Sequence, residues 1–147
     1  MIVGSSEEMK RLGEKLGSQL ISPQAIQLIG DVGTGKTTLT KGISNGLGIS
    51  STVQSPSFII FSLYRSPEGK ELHHYDLYRL SDPGLMSHDI AESLNNPKAI
   101  TVIEWGNSVQ NIIPENSLRI SIYMTNKEDQ RKVIIENSMP DLSLQLE

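Results

Sequence analysis

Gly30-Asp31-Val32-Gly33-Thr34-Gly35-Lys36-Thr37 fits the phosphate-binding pattern G-x-x-x-x-G-K-[ST] at every fixed position. Its flanks give the match a structural meaning. Ala25-Ile26-Gln27-Leu28-Ile29 is a short apolar run suited to a buried strand, and Leu39, Ile43 and Leu47 recur at helical spacing. Strand, glycine loop and helix form the unit in which backbone N–H groups turn inward around a phosphate chain, with the helix N-terminus adding partial positive charge. Lys36 is then placed for the β- and γ-phosphates and the Thr37 hydroxyl for Mg²⁺. The bland alternative is a glycine-rich turn with an exposed lysine. Four fixed positions inside the right supersecondary unit argue against it.

On the N-terminal side, Met9, Leu12, Leu16 and Leu20 share one face of a helix expected from about residue 7 to residue 20. Ser5 and Glu8 have capping-box spacing, and Gly13 and Gly17 weaken the helix. The helix after the loop should end near Gly48. Ser50 to Ser57 is a hydroxyl-rich loop, Phe58 to Tyr64 reads as a strand, and Leu72 to Asp76 returns after the Ser66-Pro67-Glu68-Gly69 turn. Leu85 to Leu94 suits a helix. Ala99-Ile100-Thr101-Val102-Ile103 suits a central buried strand. Leu118, Ile120, Ile122 and Met124 alternate with polar residues, Asn126 to Asp129 makes a turn, and Arg131 to Glu136 returns. The predicted fold class is α/β, a P-loop NTPase-like three-layer sandwich whose mostly parallel central sheet carries added antiparallel strands. The expectation is one domain over residues 1–147, with the tail from about 137 unassigned.

Composition narrows the functional classes. The absence of cysteine excludes a disulfide framework and any Cys-based zinc or redox site. No run approaches the roughly 18 apolar residues that span a bilayer, and Met1 to Lys10 does not resemble a secretory signal. A cytoplasmic location with no membrane partner is expected. The net charge of −4, from 17 acidic and 13 basic residues, argues against a large autonomous nucleic-acid surface.

Hydrolysis needs more than a phosphate loop: an acid near the metal and something to position water. Glu104 ends the stronger apolar run, at the edge where open α/β sheets place their ligands, and Asp76 ends a weaker one. Either acid could orient Mg²⁺ through water while the other acts on the attacking water; a solvated carboxylate at a strand end is the alternative for each. Trp105, the only tryptophan, can stack on a base or pack against the core. Ser55 and Ser57 flank Pro56 in a loop that is either an ordinary turn or a switch sensing γ-phosphate and Mg²⁺. Asn126-Lys127-Glu128-Asp129 spells the guanine-reading N-K-x-D, but no D-x-x-G follows the phosphate loop, and the run sits where a hairpin turn is expected.

Taken together, these residues resemble the TsaE (YjeE) family, bacterial P-loop ATPases needed for threonylcarbamoyl-adenosine modification of tRNA. The likeness is colinear over nearly the whole chain. Gly30 to Thr38 is similar to the family loop G-D-L-G-A-G-K-T-T, and Ser55-Pro56-Ser57-Phe58 to S-P-T-[FY]. His74-Tyr75-Asp76-Leu77-Tyr78-Arg79-Leu80 is similar to H-x-D-x-Y-R-[LI], and Ile103-Glu104-Trp105 to V-E-W. Arg131 sits where a C-terminal hairpin arginine is usual. Three positions depart from the family pattern: Ser57 for Thr, Thr34 for Ala, and Asn107 for a common acid. Thr34 must therefore turn its side chain away from the phosphates.

The resemblance implies ATP and Mg²⁺ as cofactors. Nucleotide contacts are expected from Asp31, Val32, Gly33, Thr34, Gly35, Lys36, Thr37, Thr38 and Trp105, and metal contacts from Thr37, Ser57, Asp76 and Glu104. Lys36, Asp76 and Glu104 are the expected catalytic residues, with Asp76 in a Walker-B-like role. It further implies slow ATP hydrolysis that resets a TsaB–TsaD complex between turnovers, with tRNA met only through that complex. A small-molecule kinase and a non-hydrolysing nucleotide-binding regulator are the rival readings. The first usually needs an Arg-rich lid, of which no cluster is visible. Asp76 with Glu104 argues against the second.

Overall fold

Ile2–Val3 (β1), Ser6–Gln19 (α1), Gln24–Ile29 (β2), Lys36–Gly46 (α2), Phe61–Arg65 (β3), Glu71–Asp76 (β4), Ser87–Asn95 (α3), Ala99–Glu104 (β5), Leu118–Met124 (β6) and Arg131–Asn137 (β7) follow one another along the chain. A short 3-10 helix, Gly106–Val109, follows β5. They are seen in a computed structural model that describes residues 1–54, 60–80, 82 and 86–137. The strands form one sheet in the order β1-β7-β6-β2-β5-β4-β3. The inner strands β6, β2, β5 and β4 run parallel, while β3, β7 and β1 join antiparallel at the margins. This is the expected α/β arrangement, and the matched elements lie within a few residues of their predicted bounds.

Each face of the sheet has its own apolar core. Leu12 and Leu16 of α1 and Leu39 and Ile43 of α2 pack on Ile26, Leu28, Leu72, Ile100, Val102 and Ile120. Ile90 of α3 and Val109 of the 3-10 helix pack on Tyr75 and Ile103. The period of two along β4 and β5 produces this division.

Helix α1 starts where its cap spacing puts it. Ser5 Oγ accepts from Glu8 N at 3.1 Å, and Glu8 Oε2 reaches back to accept from Gly4 N at 2.7 Å, one residue before the cap. The glycines that weaken α1 as an isolated helix have a tertiary reason. A Cβ on Gly13 would stand 2.3 Å from Leu39 O, and one on Gly42 would stand 2.1 Å from Lys10 O. Gly17 and Gly46 meet the facing helix as closely. Helices α1 and α2 thus touch backbone to backbone.

The hairpin of β3 and β4 forms as expected, in the register Phe61↔Tyr75 to Arg65↔Glu71. The expected strand start at Phe58, the Ser55-Pro56-Ser57 loop and the tail after 137 lie outside the described residues. Strand β1 and the 3-10 helix were not anticipated: two residues carry no period, and β1 exists only through its pairing with Lys132 and Arg131 of β7.

Candidate functional site

The parallel strands β2, β4 and β5 end on one edge of the sheet, and β2 is flanked there by β5 and β6. Strand β2 runs into the glycine loop, β4 ends on Asp76, and β5 ends on Glu104. Asp76 and Glu104 are direct register partners. Alternation puts both acids on the face covered by α1 and α2, with Leu72, Ile100 and Val102 below them. They therefore face the side of the sheet on which α2 begins with Lys36 and Thr37.

The loop is built from left-handed residues. Gly33 (φ 82°) and Gly35 (φ 111°) lie where a Cβ is strained. Thr34 turns its side chain into the loop, as its substitution for alanine requires: it is 2% exposed and its Oγ1 donates to Asp31 O at 2.9 Å. Lys36 Nζ donates to Gly30 O at 2.6 Å and Asp31 O at 2.9 Å. Thr37 and Thr38 follow on α2, half-buried, whereas Asp31 and Val32 are exposed at the loop tip.

Trp105 is the one non-glycine residue with positive φ among the described residues, at φ 59° and ψ 40°. Holding a non-glycine residue there costs on the order of 1–3 kcal/mol. In this conformation the ring lies 5.2 Å from Lys36 Nζ and 4.7 Å from the Tyr78 ring. The indole thus packs on the loop lysine, on the side of the loop next to Glu104.

The two acids occupy unequal settings. Asp76 is half-buried and its Oδ1 accepts from Tyr78 N at 3.1 Å. Burial pushes its pKa up, and the charge and contact of Glu104 add to the rise. The Tyr78 N–H and His74 oppose it. Glu104 is 2% exposed, and its Oε1 has no hydrogen-bond partner among the described residues. Two carboxylates in contact, each opposing the other's charge, suit a hard cation. Among the described residues no group of three or more His, Cys, Asp or Glu could hold a metal. Two carboxylates and the Thr37 hydroxyl are the partial set that Mg²⁺ takes when phosphate oxygens and water complete its shell.

Among the described residues two cavities border the loop. One, of about 160 Å³, lies between the start of α1 and the β6–β7 turn, lined by Ser6, Gly33, Gly35, Thr38, Asp129 and Arg131. Arg131 holds the loop from this side: Nε donates to Thr34 O at 3.2 Å and Nη2 to Gly33 O at 3.5 Å. Its Nη1 donates to Glu128 O at 2.6 Å and Gln130 O at 3.0 Å, tying the loop to the hairpin. The Asn126 to Asp129 segment is the hairpin turn expected of it, closed by Gln130 N donating to Lys127 O at 3.1 Å. The second cavity, of about 430 Å³, has Gly30, Asp31, Trp105, Asn107, Tyr123 and Met124 in its walls.

The fold thus gathers Asp31 to Thr38, Asp76, Glu104 and Trp105 at one edge, while Ser57 lies outside the described residues. Two residues that border the site were missed. Arg131 was noted only as a usual hairpin residue. His74 lies two positions before Asp76, so the strand period already put it on the acids' face.

Known proteins resemble this chain in sequence and in fold. The model of the family described as "Threonylcarbamoyl adenosine biosynthesis protein TsaE" matches residues 3–133. The chain is similar to the tRNA threonylcarbamoyladenosine biosynthesis protein TsaE of Haemophilus influenzae, 35% identical over 78% of this chain and 75% of that one. It is also similar to the protein of that name from Streptomyces coelicolor, 36% identical over 78% of each. The crystal structure of Bacillus subtilis YdiB superimposes with a TM-score of 0.77 at 24% identity, covering 97% of this chain and 86% of that one, a likeness of fold.

Proposed function

The chain belongs to the TsaE family of threonylcarbamoyl adenosine biosynthesis proteins, and from that premise we propose that it binds Mg-ATP, hydrolyses it slowly, and serves tRNA modification together with a TsaB–TsaD complex. The observation that carries this reading is the register pairing of Asp76 with Glu104, on the α2 face of the same strand edge that ends in the glycine loop. A binding module needs the loop; paired acids beside it add the means to act on phosphate.

Each residue then has a task. Loop N–H groups and the start of α2 receive the phosphates. Phosphate oxygens replace the Gly30 and Asp31 carbonyls on Lys36 Nζ, and Trp105 keeps that ammonium from swinging away. Thr37, Asp76 and Glu104 supply oxygen ligands or hold their waters. Magnesium, when bound, neutralises charge developing on the phosphates. One acid orients the ion and the other the attacking water. Ser57 contributes a hydroxyl from the switch segment. The setting is the cytoplasm, in keeping with a tRNA-modifying role; among the described residues no helix is long and apolar enough to cross a membrane.

The test is phosphate release by the chain alone and with the TsaB–TsaD complex, beside modified tRNA per complex. Weak activity alone and clear stimulation are expected, because completing such a site in trans can add about 10³ or more. Lys36→Ala should abolish both nucleotide binding and stimulation in a folded protein. An unstimulated rate, together with many modification turnovers in the chain's absence, would reject the role and favour a kinase. Wild-type ATP affinity in Lys36→Ala would remove the loop from the mechanism.

A further inference from the structure

His74 is wholly buried, and neither ring nitrogen has a hydrogen-bond partner among the described residues. A polar group left so costs about 1–3 kcal/mol, a penalty that a leucine of similar volume would not carry. The ring lies beside Val102 in register, on the face of β4 that ends in Asp76. Its Nε2 stands 3.6 Å from Glu104 Oε1, itself buried and unpartnered among the described residues. Two orphaned atoms of complementary type thus face each other behind the acid pair. The separation is longer than a hydrogen bond, and the terminal torsion of Glu104, which sets it, is a soft one.

We propose that His74 is a positioning residue whose Nε2–H donates to Glu104 Oε1 and thereby aims the other carboxylate oxygen at the metal-bound nucleotide. The inference rests on the Mg-ATP reading of the site. Without the donor, Glu104 can turn either oxygen toward Asp76, whose like charge opposes it. With the donor, one oxygen is fixed from behind and the other is committed forward. A partner that orients a ligating carboxylate typically changes metal affinity by about 10–100-fold when removed.

The test uses the full chain, His74→Leu, which fills the space without a donor, and His74→Gln, whose amide nitrogen reaches close to the Nε2 position. Binding of a fluorescent ATP analogue is followed against Mg²⁺ concentration. The ring tautomer is read by ¹⁵N NMR in metal-free protein. The expected results are an Nε2–H tautomer whose signal moves in Glu104→Gln, and a Mg²⁺ requirement raised about 10–100-fold in His74→Leu. Metal-free analogue affinity should be unchanged in His74→Leu, and His74→Gln should recover most of the Mg²⁺ response. An unchanged Mg²⁺ requirement in folded His74→Leu, or an Nδ1–H tautomer, would overturn the proposal. If His74→Leu does not fold, His74→Gln is compared with His74→Asn, whose amide nitrogen reaches only the Nδ1 position. Equal Mg²⁺ responses in those two would overturn it, and a deficit in Asn alone would support it. Analogue binding that ignores Mg²⁺ in the wild type would instead overturn the Mg-ATP reading itself, and the positioning role with it.

Discussion

Asp76 is a residue whose ionised form the fold opposes. Burial and the neighbouring Glu104 carboxylate both push its pKa above the ordinary value. For an acid with a raised folded pKa, the native state holds its proton longer than the unfolded chain does. Stability from this group therefore falls as pH rises from the ordinary carboxylate range through the raised value, and stays lower at neutral pH. Asp76→Asn removes that penalty, and its Oδ1 can still accept from Tyr78 N. In metal-free protein at pH 7 the variant should melt higher, by about 1 kcal/mol or less after solvent screening, roughly 2–4 °C at most. The gain should vanish at acid pH, where the wild-type residue is protonated. Mg²⁺-dependent hydrolysis should fall, and Mg²⁺ should raise the wild-type melting temperature more than the variant's. Thermal melts across pH with and without Mg²⁺ decide it; a lower melting temperature for the variant at pH 7 would show that the acid pair is not a source of strain.

Between elements, the α1–α2 contact sets the position of the loop, because α2 begins at Lys36. Helix propensity alone says that Gly42→Ala should stabilise by about 1 kcal/mol. The geometry says otherwise: the added Cβ would meet Lys10 O at 2.1 Å, a backbone atom that cannot rotate away. Overpacking of this kind costs about 1–3 kcal/mol. Gly42→Ala should therefore unfold at lower denaturant and bind ATP more weakly, since separating the helices displaces Lys36 and Thr37. A variant as stable as the parent in a urea titration would contradict the contact. Glycines at residues 13 and 17 and again at 42 and 46 were visible in the sequence as a repeated four-residue interval. Read on α1 alone, Gly13 and Gly17 looked only like weaknesses, because propensity carries no information about the facing helix.

Over the whole molecule, the sequence exposed what is local and concealed what is relational. The strand–loop–helix unit around Gly30 to Thr37 and the acids closing two apolar runs were readable from pattern alone. That Asp76 and Glu104 meet in register was not, because it depends on the β4–α3–β5 crossover, which lays two distant stretches side by side. The left-handed Trp105 was hidden for a related reason. Nothing in Glu104-Trp105-Gly106 demands positive φ, and the conformation is held by the Lys36 and Tyr78 contacts that reward it. Arg131 heads a strand whose alternation was plain, yet its reach to Thr34 O spans 97 positions of chain. Sheet order, and with it the site's outer wall, is a property of closure rather than of any segment.

The Arg131 clamp has a consequence for the order of synthesis. The glycine loop is translated early, but β6, its neighbour β7 and the arginine that ties the loop to the hairpin emerge only near the far end of the described chain. Until then, β2 lacks one of its two flanking strands. A ribosome-held chain with residues through 117 exposed should leave a fluorescent ATP analogue unbound despite a complete loop, α2 and both acids. Exposure through 137 should bring binding and resistance to protease together. Nucleotide capture by the shorter chain would mean that the loop is competent before the sheet closes. If the two arrive together, the nucleotide meets only finished molecules, and a stalled fragment cannot draw on the cell's ATP.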